Sequence, residues 1–409
     1  QRALSGDTLG SKSTAIGTDA LKVQNFTTAT DSYNVAVGFE TGQSITTGIN
    51  NTLIGGLAGD ALTDADHNVA VGKSALSADT LGNRSVALGA FALEVQNFTT
   101  ATDVYNTAVG HGAGAAVTTG DQNTLIGGLA GVAVTTGRRN TAIGHVALST
   151  DTLGKNNTAI GYAALYAQNF TTATDAYNTA VGSVAGGAVT TGIQNTLVGA
   201  LAGDALTDAD FNVGIGYRAL STDTLGSRSV AIGYSALFTQ NFTTATDAYN
   251  VAIGMEAGNK ITTGTNNTFV GGLAGDAFTD ADFNVGIGKN ALGSDTLGSK
   301  STAIGTFALE TQNFTTATDA LNTAVGYYAG LSVSTGVQNT LIGGLAGDAL
   351  TTGSYNVVVG HEALSTEDAH GNNVAIGNRA LKTLNAGTAG LNTAVGDDAG
   401  TAVTTGIRN

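Results

Sequence analysis

Asn157-Thr158-Ala159-Ile160-Gly161 returns along this chain as Asn178-Thr179-Ala180-Val181-Gly182, Asn34-Val35-Ala36-Val37-Gly38 and Ser229-Val230-Ala231-Ile232-Gly233. In the form Asn/Ser, Thr/Val, small or apolar, Val/Ile/Leu, Gly, the pentad occurs twenty-two times in 409 residues. From Gly17 the steps to Gly38, Gly55, Gly72 and Gly89 are twenty-one, seventeen, seventeen and seventeen residues. The same four steps lead on to Gly161, Gly233, Gly305 and Gly377, so the span 18–377 is five copies of one 72-residue unit. A fixed period of this kind is the signature of a solenoid. Only the stretch 378–409 breaks step, with nineteen residues from Gly377 to Gly396.

Seventeen residues is too short for a helix pair with turns, and the pentad alternates with period two, which reads as a short strand. Its second and fourth positions are expected to face a common core. The third, usually Ala but Leu53, Leu125, Leu197, Phe269 or Leu341 once per unit, then points the other way and needs a partner of its own. The closing Gly suits positive φ or close approach to a neighbouring backbone. The opening Asn or Ser suits a turn that bonds its own backbone. After the Gly, an Ala-Leu or Ala-Gly pair and a later apolar residue predict a second, weaker strand. The fold expected is all-β: one continuous parallel β-solenoid over 1–409, of about 22 coils. At ~4.8 Å per coil that makes a rod roughly 105 Å long. Strands that bond on both edges exclude Pro, and the chain has none. An apolar stripe along such a rod exceeds what soluble monomers expose, so it is expected to be an oligomer seam.

Composition narrows function by exclusion. Without Cys there is no disulfide framework or thiol nucleophile. A net charge of −15, with scattered basic residues, argues against nucleic acid, which needs a surplus of Lys and Arg. No apolar run approaches a membrane-spanning length. The chain opens at Gln1-Arg2-Ala3-Leu4, in mid-repeat, and stops at Asn409, the first residue of a pentad. The expectation is a window of a longer fibre.

The runs Ser229-Val230-Ala231-Ile232-Gly233, Ser85-Val86-Ala87-Leu88-Gly89 and Asn156-Asn157-Thr158-Ala159-Ile160-Gly161 resemble the head repeats of trimeric autotransporter adhesins. Similar repeats occur in bacteriophage tail fibres and large environmental fibre proteins. The resemblance implies a left-handed parallel β-roll assembled as a homotrimer, with the pentad strands facing the three-fold axis. It also implies an extracellular place, on a cell surface or virion. The 72-residue superperiod and the 21-residue step depart from the shorter repeat of that family.

Residues able to carry chemistry have structural readings beside them. Asn25, Asn97, Asn169, Asn241 and Asn313 each open Asn-Phe-Thr, an N-glycosylation acceptor pattern or a self-bonded turn over stacked Phe side chains. Asp204, Asp208 and Asp210, with equivalents at Asp60/Asp64/Asp66 and Asp276/Asp280/Asp282, could supply calcium oxygens. The acids vanish at Val132 to Thr136, and solvated turns are the favoured reading, as for Asp79, Asp151, Asp223 and Asp295. The five His residues recur with no fixed partner, as a catalytic His would require. The glycine-rich Gly127 to Gly131 lacks the Lys-Ser/Thr of a phosphate loop. Tyr162, Tyr217, Tyr234 and Tyr327-Tyr328 could line a carbohydrate-binding flank. Gly17, Gly89, Gly161, Gly233, Gly305 and Gly377 are read as structural turn glycines.

No catalytic residue, cofactor or metal is expected. The leading expectation is a non-enzymatic, homotrimeric fibre shaft carrying attachment to a host or surface. The second is an adhesive solenoid binding a cell-surface glycan or protein receptor through repeated weak sites. The third is an ice-binding solenoid, disfavoured because Thr pairs such as Thr118-Thr119 and Thr190-Thr191 occupy only one coil in four.

Overall fold

The computed structural model describes residues 2–387 and 389–409. Each pentad forms a three-residue strand on its second to fourth positions, and no helix occurs among the described residues. The chain divides into two units, 1–208 and 209–409, with eleven pentad strands in each. Within a unit every pentad strand pairs in parallel with the next. In residues 1–208 Thr107 lies beside Thr124 and Ala108 beside Leu125. In residues 209–409 Ala252 lies beside Phe269, and Phe269 beside Gly286. Each unit is thus a parallel β-solenoid with like positions stacked in rows.

The facing of the strand is the reverse of the sequence expectation. The third position is sealed inside, with Ala36, Leu53, Leu125, Phe269 and Leu341 all at 0 % exposure. The second and fourth lie on the outer surface, partly exposed. The interior takes Ala at most third positions and Leu, Phe269 or Val358 at others. In most coils with Ala at the third position, a Leu stands four residues beyond the closing Gly, as in Ala142 with Leu148 and Ala159 with Leu165, all fully buried. Where the third position is Leu125, that place is Gly131, and a side-chain carbon there would sit 2.7 Å from Leu125 Cδ2. The coil preceding Leu125 is opened in the same way, since one on Gly114 would sit 2.6 Å from Leu125 Cδ1. Large and small residues trade places so that each layer fills to the density of a protein core. Phe269 takes this furthest. It stacks on Phe278 at 5.3 Å, beside Gly286, whose added carbon would lie 2.9 Å from the ring.

The stretch after the closing glycine is not a second strand. Closing glycines lie at φ of about +130° to +145°, and the second and fourth residues after them are left-handed, as at Leu129 (φ 59) and Leu148 (φ 51). This alternation turns backbone amides toward both neighbouring coils. Leu129 N–H donates to His111 O at 3.0 Å, and Gly131 N–H to Ala147 O at 2.9 Å. The segment is hydrogen-bonded from coil to coil without strand dihedrals, which gives a second reason for the absence of Pro. True second strands are two residues long and occur in five pairs among the described residues, such as Gly82–Asn83 with Thr102–Asp103.

Candidate functional site

The polar chemistry concentrates at the start of each pentad, where the Asn residues are buried. Asn140 N–H donates to Asn123 Oδ1 at 3.0 Å, and Asn140 Nδ2 to Gly154 O at 2.9 Å. The same pattern runs through Asn284, Asn339 and Asn356 in residues 209–409. Each side chain bridges to the next coil, Asn140 Oδ1 accepting from Asn157 N–H, and does not bond its own turn as the sequence suggested; a buried amide without partners would cost about 1–3 kcal/mol.

Once in each four-coil unit this column meets a buried carboxylate. Asp79, Asp151, Asp223 and Asp295 are fully buried, so the expectation of solvated turns fails for all four. Asp223 Oδ1 accepts from Gly226 N–H at 3.0 Å and Phe242 N–H at 3.2 Å. Its Oδ2 accepts from Gln240 Nε2 at 2.5 Å. Gln240 also donates to Ser229 Oγ at 3.1 Å and accepts from Asn250 Nδ2 at 2.9 Å. Gln96, Gln168 and Gln312 repeat the contact to Asp79, Asp151 and Asp295. Burial pushes the Asp79 and Asp151 carboxyls above the ordinary range, and the Gln and backbone donors pull back without cancelling it. The Asp–Gln–Asn clip holds the 21-residue coil. The signal for it is in the sequence: Asp stands seventeen residues before Gln in five copies, and both change together to Glu367 and Leu384 in the sixth. There His370 N–H (3.2 Å) and its ring Nδ1 (2.8 Å) meet Glu367 Oε1.

The sequon residues Asn25, Asn97, Asn169, Asn241 and Asn313 are exposed. Thr80, Thr152, Thr224 and Thr296 donate to the Oδ1 atoms of the last four at 2.9–3.0 Å. The following Phe residues are buried but stand a whole four-coil unit apart, so they do not stack on one another as expected. Asn97 shares a row with Thr118, Thr135 and Thr152. The Thr rank is therefore longer than the sequence suggested, although Thr118 and Thr135 turn their hydroxyls onto carbonyls of the next coil.

The carboxylates considered for calcium serve neighbouring coils. Asp208 accepts from Thr191 at 2.6 Å, Asp64 from Thr47 at 2.5 Å, and Asp66 from Ile49 N–H at 2.8 Å. Asp204 lies among the turns after Gly199, and Asp210 N–H donates to Ser227 Oγ at 3.0 Å. Among the described residues the one grouping of three acid or His ligand atoms is Glu367, Asp368 and His370, in the irregular stretch. An open hollow is lined by Arg379, Lys382, Thr383, Asp398 and Thr401 and bridged by an Arg379–Asp398 ion pair at 2.6 Å.

The six turn glycines face the backbone of the next coil. A side-chain carbon on Gly161 would strike Gly182 O, and one on Gly233 would strike Gly254 O. Tyr162 and Tyr234 are exposed, the first stacked on His145 at 5.9 Å and the second on Tyr217 at 5.6 Å. Tyr327 and Tyr328 lie 4.0 Å apart.

Two surfaces remain. One is the outer face of the pentad strands, where Ile54, Ile253, Ile287, Ile304 and Ile342 are 38–40 % exposed. The other is the residue just before each pentad, left-handed and projecting, as at Tyr105 (φ 55) and Arg228 (φ 62). Among the described residues no helix is long and apolar enough to cross a membrane. A scan against models of known protein families finds no match, and a search of curated proteins finds none either.

Proposed function

We propose that this chain is a non-enzymatic shaft segment of an extracellular, homotrimeric fibre, of left-handed winding, that carries attachment to a host or surface. The observation that carries the reading is the outer pentad face. In each unit eleven strands present Val or Thr beside Ile, Val or, once, Leu88 in one unbroken stripe. At ~4.8 Å per strand the stripe is on the order of 50 Å long. Exposed apolar surface on that scale marks an association site. Three copies would set these stripes around a common axis and bury them together. The expected seam is thus the Val/Ile side of the strand, not the Ala/Leu side, which is already the interior of each solenoid. The register is the second support: the same neighbourhood recurs in every four-coil unit, whereas catalysis needs one asymmetric constellation. The resemblance of the pentads to adhesin head repeats agrees with both.

Placing Asp at Ile304 and Ile342 tests this. Both side chains face outward, so the coils should stay folded by circular dichroism while the oligomer dissociates to single chains. An oligomer that survives both substitutions would show that the pentad face is not the seam.

A second reading, an adhesive solenoid with repeated weak sites, is favoured by the projecting row before the pentads. The Thr rank keeps an ice-binding reading below both, since its hydroxyls are spent on carbonyls of the next coil.

A further inference from the structure

The residue before each pentad follows a two-coil rule in residues 209–409 that the fold does not require, since Arg139 breaks it between Tyr105 and Tyr177. In residues 209–409 the alternate coils carry Phe211, Tyr249, Phe283, Leu321 and Tyr355, all 37–55 % exposed. The coils between carry Arg228, Asn266, Lys300, Gln338 and Asn372, each exposed. No carboxylate occupies any of these positions in a chain of net charge −15. Every one is left-handed, with φ between 56° and 64° for all but Tyr249 (50°) and Leu321 (54°). Asn or Gly tolerates that region, whereas a bulky side chain there costs roughly 1–2 kcal/mol. Aromatic rings recur at these strained, exposed positions without burying a core. The cations are also held in place: Arg228 pairs with Asp247 at 2.9 Å. Its guanidinium lies 4.7 Å from the Phe211 ring and 5.9 Å from the Tyr249 ring. Lys300 pairs with Asp319 at 2.5 Å. The ridge is therefore a file of exposed apolar side chains, four of the five aromatic, alternating with hydrogen-bond donors.

We infer that this ridge binds an extended β-1,4-linked glycan chain of the cellulose or chitin type, laid along the solenoid axis. Two coils span about 10 Å, close to the length of the disaccharide repeat of such a chain. Each repeat turns the same sugar face toward one side, so one ring can meet each disaccharide while the intervening Asn, Gln, Arg or Lys bonds its hydroxyls. The cations are already paired with Asp, which suits a neutral chain rather than a sulfated or uronic one. Each contact is weak, and affinity comes from the number of coils engaged at once. The inference is independent of the trimer proposal, because the ridge belongs to a single chain.

The experiment is co-sedimentation of the full chain with microcrystalline cellulose and with chitin, using amylose, whose α-linked chain coils, as control. The Tyr249→Ala/Phe283→Ala double variant is compared, with solution mass measured in parallel. The expected result is binding to cellulose or chitin and none to amylose, weakened about tenfold or more in the double variant, which keeps the mass of the unaltered chain. Binding equal in the two proteins would overturn the inference, as would equal retention on amylose or no retention on any glycan. Loss of the oligomer in the double variant, without glycan binding by the unaltered chain, would overturn it too and assign the ridge to contacts between copies.

Discussion

Exchanging the sizes of Leu125 and Gly131 probes the packing rule that builds the interior. Leu125 is fully buried, and its two methyl groups occupy the space left by Gly114 and Gly131. Leu125→Ala alone empties that space in two adjoining coils, at a cost of about 2–5 kcal/mol. Gly131→Leu alone forces a side chain into a volume whose nearest occupied point is 2.7 Å away. That overpacking is worth roughly 1–3 kcal/mol, plus about 1 kcal/mol for Leu in the left-handed region. The double variant reproduces an arrangement the chain already uses, Ala142 with Leu148 at φ 51. It should therefore lose only about 1–2 kcal/mol, so that the two changes couple favourably by about 2 kcal/mol or more. A solenoid opens locally as well as globally, so the assay is hydrogen exchange at the amides of Thr124–Ile126 and the adjoining coils. Additive losses in the double variant would refute the exchange rule.

Gln240→Leu should strip Asp223, Ser229 and Asn250 of a common partner and cost about 3–5 kcal/mol at that coil; equilibrium urea unfolding with exchange at the Phe242 amide reads it. Gly161→Ala should cost about 3 kcal/mol or more, because the added carbon meets the next backbone at a φ that only Gly adopts readily. Ala at Gly272, where an added carbon finds its nearest neighbour at 3.9 Å, should change thermal stability far less. With the Asp79 and Asp151 carboxyls raised by burial, the folded state holds their protons more tightly than the unfolded chain. Their contribution to stability therefore falls as pH rises from the ordinary Asp range through the raised values and is level above them. The urea midpoint should lose less over that rise in pH after Asp79→Asn and Asp151→Asn together.

Much of the fold was legible because the chain repeats itself. The spacing of Gly17, Gly38 and Gly55, the period-two alternation and the absence of Pro each point to stacked parallel coils, and the strands lie on the pentads. The facing of the strand was not legible. Thr158 and Ile160 flank Ala159 with apolar or neutral groups on both sides, so hydrophobicity does not choose. Assigning Ile to the core was the natural error. The left-handed turn after the closing glycine was hidden because Leu, not Gly or Asn, often occupies its fourth position, as at Leu148. The buried carboxylates were read as solvated because a lone Asp in a Thr/Gly stretch resembles a turn. Their partners stand a whole coil away, and the correlated loss of Asp and Gln at Glu367 and Leu384 was the clue. The projecting row at Phe211, Tyr249 and Phe283 escaped because the position before each pentad varies among aromatic, amide and basic residues, which resembles an unconstrained turn.

The most direct test of the account is the mass of the purified chain in solution, by sedimentation equilibrium over a wide concentration range. The proposal of a shared Val/Ile seam requires a species of three times the 40.5 kDa chain that persists on dilution. A chain that stays at 40.5 kDa at every concentration, with its outer pentad face open to solvent, would contradict it.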